Sequence, residues 1–165
     1  MQETDQAVAT PLSPDQCVAL AESIASDPAS WERCVQHIPG RRHYERLSRD
    51  DDREIFVISW MDDHDTGFHD HDISCGAVHV VSGGIFEERL SFDGPHVERL
   101  VSPGETIRFA ASYIHRFRPH NGVPTVTIHV YSPPLQTMGA YYEGPDGALI
   151  RTPISGEAEL VNLNV

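Results

Sequence analysis

The run CGAVHVVSGGIFEERLSFDGPHVERLVSPGETIRFA (75–110) alternates short β-rich stretches with turn residues. CGAVHVVS (75–82), IFEERLSF (85–92) and TIRFA (106–110) are rich in the β-branched and aromatic side chains that suit a pleated, half-buried surface. Gly83-Gly84, Asp93-Gly94-Pro95 and Pro103-Gly104 separate them with residues that adopt turn conformations cheaply. The pattern extends both ways, to REIFVISW (53–60) after Asp50-Asp51-Asp52, to TVTIHVYS (125–132) after Asn121-Gly122, and up to Gly144-Pro145-Asp146-Gly147. At least seven short strands at regular spacing predict an antiparallel sandwich or barrel.

The first forty residues read differently. Ser13-Pro14-Asp15 supplies an N-cap, a proline at the first helical position and an acid in the first turn, so a helix is predicted over 14–26 with Val18, Leu20, Ile24 and Ala25 on its apolar side. Asp27-Pro28 repeats the signal and predicts a second short helix, with Trp31, Cys34, Val35 and Ile38 as its stripe, ending at Pro39-Gly40. With 165 residues the expectation is one domain, in which a helical segment (1–40) packs on a β-barrel (41–165).

Net charge is −13, from 25 acidic against 12 basic residues, which disfavours nucleic acid and anionic membranes as partners. No apolar run approaches the roughly 20 residues of a membrane-spanning helix. The opening MQETDQAVAT carries no basic and then apolar leader pattern, so a cytoplasmic location is expected. Cys17, Cys34 and Cys75 are odd in number and lack CxxC spacing, which argues against a disulfide framework or a structural zinc site; Cys17 and Cys34 read as small core residues.

Among ten histidines, His69-Asp70-His71 places two imidazoles at i and i+2, on one side of an extended chain with about 7 Å between Cα atoms. That is a chelating arrangement, although histidines within DDHDTGFHDHD (62–72) equally suit a solvated acidic loop. The context favours metal: Gly83 closes the next strand, and PGETIRFAASYIH (103–115) adds a turn, a strand and a third histidine, His115. This two-part arrangement resembles the cupins, small antiparallel β-barrels of jelly-roll type, here preceded by short N-terminal helices. A cupin usually carries a glutamate ligand shortly after the HxH pair, but Asp72-Ile73-Ser74-Cys75-Gly76 has none. Three neutral imidazoles leave positions open on a divalent ion and welcome an anionic ligand such as a thiolate, as open sites on non-haem iron do. A three-histidine zinc site is the competing reading.

Residues 44 to 142 further resemble the cysteine dioxygenases, on Tyr44-x-Arg46, Trp60 nine residues before His69, HDH at 69–71, His115-Arg116 and the run Thr127-Ile128-His129-Val130-Tyr131-Ser132-Pro133-Pro134. The resemblance implies one Fe(2+) per chain on His69, His71 and His115, no organic cofactor, a substrate carboxylate on Arg46, and supporting roles for Thr127, His129 and Tyr131. It implies oxidation of L-cysteine by O2 to cysteine sulfinic acid; a monomer or weak dimer is expected. In relatives a glutamine at the position of Arg46 goes with other mercapto acids, so the arginine tilts the expectation towards L-cysteine. The rivals are a dioxygenase of 3-mercaptopropionate or mercaptosuccinate, and a cupin that is no oxygenase, such as a zinc or nickel isomerase or a sugar-type binding module.

The residues support those roles separately. Thr127, His129 and Tyr131 alternate with Val126, Ile128 and Val130, so a polar face and an aliphatic face are predicted on one strand. Thr127 then orients His129, and His129 holds the Tyr131 phenol. Tyr44 and Arg46 share a face, and an arginine fork matches a carboxylate. The family's animal members place a cysteine at the position of Gly76 and link it to the tyrosine; with Cys75 one residue early and so on the opposite face, no such crosslink is expected. The resemblance also implies a cis Ser132-Pro133 bond. His37, His43, His64, His79, His96 and His120 read as surface or supporting residues, with His64 nearest the site in sequence.

Overall fold

Ser13 caps the first helix as its sequence predicts. Its hydroxyl accepts from the Gln16 backbone N–H at 3.3 Å while the Gln16 side chain accepts from the Ser13 N–H at 2.8 Å, closing a capping box over α1 (Pro14–Ala25). The computed structural model describes residues 10–120 and 122–156, so most of the opening MQETDQAVAT segment and Asn121 of the expected Asn121-Gly122 turn lie outside the described residues.

The second predicted helix is not one. Residues Pro28–Ser30 and Glu32–Cys34 form two isolated 3₁₀ turns, and Val35 is already extended. A segment this short cannot meet the cost of helix nucleation, so tertiary packing decides its path. Trp31 is buried against the helix-side core, with Cys34 and Val35 packed beside it.

Eleven strands follow among the described residues: β1 (His43–Arg49), β2 (Glu54–Trp60), β3 (Phe68–Asp70), β4 (Cys75–Ser82), β5 (Ile85–Arg89), β6 (Val97–Val101), β7 (Thr106–Phe109), β8 (His115–Pro119), β9 (Thr125–Ser132), β10 (Thr137–Glu143) and β11 (Leu149–Ser155). They form a five-stranded sheet, β1-β2-β9-β4-β7, and a six-stranded sheet, β11-β10-β3-β8-β5-β6, with antiparallel pairing throughout. This is the mainly β, antiparallel architecture that the strand spacing predicts, and it suits the cupin resemblance.

The alternation within the five-stranded sheet sorts its side chains into two cores. Phe56, Ile58, Trp60, Val78, Val80 and Tyr131 point between the sheets and meet Ile85, Phe117 and Met138 of the other sheet. Ile55, Val57, Ala77, Val126, Ile128 and Val130 point the other way and are covered by Cys17 and Ala21 of α1. The helix therefore makes the outer face of β9 dry, and every residue of β9 is buried. A strand with one aliphatic and one polar face can be buried on both sides only if the polar face finds partners of its own.

Removing aliphatic bulk from the helix-facing side should lower stability without touching the polar face. Ile128→Ala is expected to cost about 2–5 kcal/mol in urea denaturation.

Candidate metal centre and active site

His69 on β3 lies directly opposite His115 on β8, and His71 follows just past the end of β3. Cross-strand partners share a face, so this register aims both rings between the sheets. The ring centroids of His69, His71 and His115 are 4.9 to 5.2 Å apart, and their ligand atoms lie within 4.8 Å of one another. All three residues are buried.

The donor set fits a divalent transition metal. His69 Nδ1 sits 3.0 Å from the Gly67 carbonyl and His115 Nδ1 sits 3.0 Å from the Glu87 carboxylate, so each carries its proton on Nδ1 and turns the Nε2 lone pair inward. The Nε2 atom of His115 is buried without a hydrogen-bond partner, as a waiting metal ligand should be. Burial pushes the His115 imidazole down to about 3, against the pull of Glu87, so this ring is neutral at physiological pH. Nitrogen donors of this kind suit iron, zinc, copper or nickel.

Two carboxylates that the sequence reading overlooked hold these ligands in place. Glu87 on β5 is buried; it accepts from His115 and, at 2.8 Å, from Arg99 Nε, and these contacts keep its carboxyl below the usual range although burial alone would raise it. Asp70 sits between the two ligands of the HxH pair and faces away from them. It receives Arg151 Nε at 2.7 Å and Nη2 at 2.8 Å, the Tyr141 hydroxyl at 2.6 Å, and the backbone N–H groups of Asp72 and Gly139. A Cβ on Gly139 would stand 2.2 Å from Arg151 Nε and 2.7 Å from the Asp70 carboxylate, so only glycine lets β10 pass this clamp. Asp70, too, is held well below the usual carboxylate range, because its bonds to Arg151 and Tyr141 outweigh its burial.

Across from the histidines, the inner face of β9 forms a continuous polar chain. Trp60 Nε1 donates to Thr127 Oγ1 at 2.8 Å, Thr127 Oγ1 is 2.8 Å from His129 Nε2, and His129 Nδ1 is 2.8 Å from the Tyr131 hydroxyl. Thr127, His129 and Tyr131 are fully buried, and the Tyr131 ring lies 5.3 Å from that of His71. Trp60 is an unforeseen member of this chain.

Tyr44 and Arg46 lie side by side with the interior. Their cross-strand partners are Ile58 and Phe56, and the Tyr44 ring meets Phe56 edge-on at 6.2 Å. Arg46 is exposed on β1. It shares the buried carboxylate of Glu54 with Arg49, at 3.3 and 2.9 Å. Arg42 is buried with its guanidinium 5.0 Å above the Trp60 ring.

Gly76 is the cross-strand partner of Tyr131 and of Phe109. A Cβ at Gly76 would lie 2.2 Å from the Val130 carbonyl oxygen and 2.6 Å from the Phe109 ring, which occupies that space and stacks on His71 at 4.4 Å. The volume that a glutamate or cysteine side chain would fill is thus taken by Phe109. Cys75 faces the helix, where its thiol donates to the Leu12 carbonyl at 3.2 Å and contacts Cys17. The Ser132-Pro133 bond is cis. His64 is held by its own loop, accepting from the Met61 N–H at 2.9 Å, and His79 bonds Thr106 on the helix side.

Residues 10–144 match the family described as cysteine dioxygenase type I. The chain belongs to the cysteine dioxygenase type I family. It is 22% identical over 137 residues to human cysteine dioxygenase type 1, covering 77% of this chain and 68% of that protein. Among solved structures, a protein of Thermus thermophilus superposes with a TM-score of 0.55 at 16% identity, over 62% of this chain and 93% of that one. An uncharacterized conserved protein with a double-stranded beta-helix domain from Klebsiella pneumoniae gives 0.54 at 12% identity, over 73% and 92%. At these identities the structural likeness speaks for the cupin fold alone. Family and fold together support a cupin thiol dioxygenase.

Metal affinity should depend on the residues that orient the ligands. Glu87→Ala and Arg151→Met are each expected to weaken metal binding about 10–100-fold in competition with a chromophoric chelator. Gly76→Cys should destabilise the fold by about 1–3 kcal/mol in thermal or urea unfolding, through overpacking against Phe109 and the Val130 carbonyl.

Proposed function

We propose that the protein is a non-haem iron dioxygenase that converts L-cysteine and O2 to cysteine sulfinic acid. The observation that carries this reading is the buried cluster of His69, His71 and His115 faced by the Tyr131 phenol at the end of a buried hydrogen-bond chain. Iron held by His69, His71 and His115 would supply the redox chemistry between the thiol and O2. Thiol and O2 together contain every atom and electron of the sulfinic acid, so no reductant or organic cofactor is required.

The protein's own groups bind and orient. With no carboxylate among the three candidate ligands, the neutral site favours an anionic sulfur over water. Arg46 and Arg49 place two guanidinium charges on the single Glu54 carboxylate, and the half-exposed Arg46 keeps N–H donors for the substrate acid group, with Tyr44 beside it.

The tautomer of His129 decides what Tyr131 can do. Trp60 Nε1 is only a donor, so it occupies a lone pair of Thr127, whose own proton then points at His129 Nε2. His129 in turn donates from Nδ1 to the Tyr131 oxygen, which fixes the phenol at the end of the chain. Tyr131 is thereby held in place beside the site of the reacting sulfur.

After anaerobic Fe(II) loading, oxygen uptake across a panel of small thiols should be fastest with L-cysteine and yield the sulfinate. A protein that consumes no oxygen with any thiol contradicts the proposal, and greater turnover of 3-mercaptopropionate moves it to the neighbouring substrate. Arg46→Gln is expected to raise the KM for L-cysteine about tenfold or more.

A further inference from the structure

Two arginines reach one buried carboxylate because β1 carries a bulge. Side chains alternate along a strand, so Arg46 and Arg49, three residues apart, would ordinarily point to opposite faces. The register between β1 and β2 shifts between Arg46 and Ser48, which makes Leu47 an extra residue and gives the arginines on either side of it a common face. Arg46 therefore lies opposite Phe56 and Arg49 opposite Glu54, on the side of β2 whose Phe56 packs between the sheets, while Leu47 packs with the helix-side core.

Glu54 is also the cross-strand partner of Tyr131 on β9, and the Phe56 ring meets that of Tyr131 at 6.4 Å, so the three charges gather beside the polar chain of the site. Their contacts are unequal. Glu54 Oε1 accepts from Arg49 Nη1 at 2.9 Å and from Arg46 Nη1 at 3.3 Å, while Oε2 accepts from the Leu135 N–H at 3.2 Å. The Glu54 side chain is 4% exposed and both arginine side chains are 44% exposed. A buried carboxylate is costly to leave unpaired, and it competes with any other acid group for a guanidinium that it holds. Arg49 makes the shorter contact, so Glu54 depends less on Arg46.

We propose that Arg49 is a positioning residue for substrate selection, which holds Glu54 and so leaves Arg46 to pair with the acid group of the thiol. The inference deepens the dioxygenase reading and rests on its placement of the substrate acid group at Arg46. Two guanidiniums and one carboxylate carry a net positive charge of one, which matches a thiol with a single acid group, as L-cysteine has. Without Arg49, Glu54 would draw Arg46 to itself and repel an incoming carboxylate.

L-Cysteine and cysteamine share the thiol and the amine and differ by one carboxylate. Anaerobic calorimetry on the iron-loaded protein should show L-cysteine bound about tenfold or more tightly than cysteamine. Arg49→Met should bring the two affinities to within about twofold of each other with that of cysteamine unchanged, and adding Glu54→Gln should restore the preference, because the competing charge is then gone. Glutamine keeps an acceptor for the Leu135 N–H, and both thiols are measured on the same preparation, so a loss of folded material does not alter their ratio. A preference that survives Arg49→Met, or that Glu54→Gln fails to restore, overturns the role of Arg49 and leaves the dioxygenase reading intact. Arg46→Gln should abolish the preference whether or not Glu54 is replaced. If the preference survives Arg46→Gln, or the parent protein shows none, the acid-group role of Arg46 falls and that of Arg49 with it. If neither thiol binds, the dioxygenase reading itself falls.

Discussion

Everything in the site depends on one register position, at which His69 on β3 lies opposite His115 on β8. Side chains on a strand alternate, so a slip of a single residue would turn His69 outward and Asp70 inward. The strand that carries this constraint, Phe68–Asp70, is three residues long and pairs with β10 at each of them. The Asp70 carboxylate reinforces that register, gripped from the outer side by Tyr141 of β10 and Arg151 of β11. Buried and paired, Asp70 is costly to displace, because moving β3 would strand a charge without its partners. A structural ion pair on one face of three residues thereby fixes chelating rings on the other.

The same logic of two faces runs through β9. Its aliphatic residues dock against α1, and its polar residues look into the barrel as a chain from Trp60 to Tyr131. The helix cap at Ser13 is therefore connected to the site, since the helix keeps water from the back of the strand that carries Tyr131. Gly76 and Phe109 complete the arrangement. A missing side chain on β4 makes room for an aromatic ring on β7, and that ring supports His71 from behind.

How much of this was legible depended on range. The i, i+2 spacing of His69 and His71 and the alternation through Thr127, His129 and Tyr131 are local patterns, and period 2 alone shows which side chains share a face. The opposite parity of Cys75 and Gly76 was readable for the same reason. Glu87 and Arg151 were not, because each lies on a strand whose relation to the histidines exists only after long-range pairing. EER (87–89) looks like an ordinary solvated charge cluster, yet β5 turns Glu87 inward onto His115 and leaves Glu88 outside. The partner of Arg46 was hidden likewise, since Glu54 opens an apolar strand and nothing local marks it as buried. The segment after Asp27 carried helix signals that the packing of Trp31 overrode.

The central claim is that three neutral histidines hold iron with positions left for a substrate sulfur. X-ray absorption at the iron edge, recorded on the anaerobic Fe(II) protein before and after adding L-cysteine, tests it most directly. The account predicts only nitrogen and oxygen neighbours beforehand, with three imidazoles among them, and one sulfur neighbour once the thiol is present. An iron environment unchanged by the thiol, or a sulfur ligand already present in the protein alone, would contradict it.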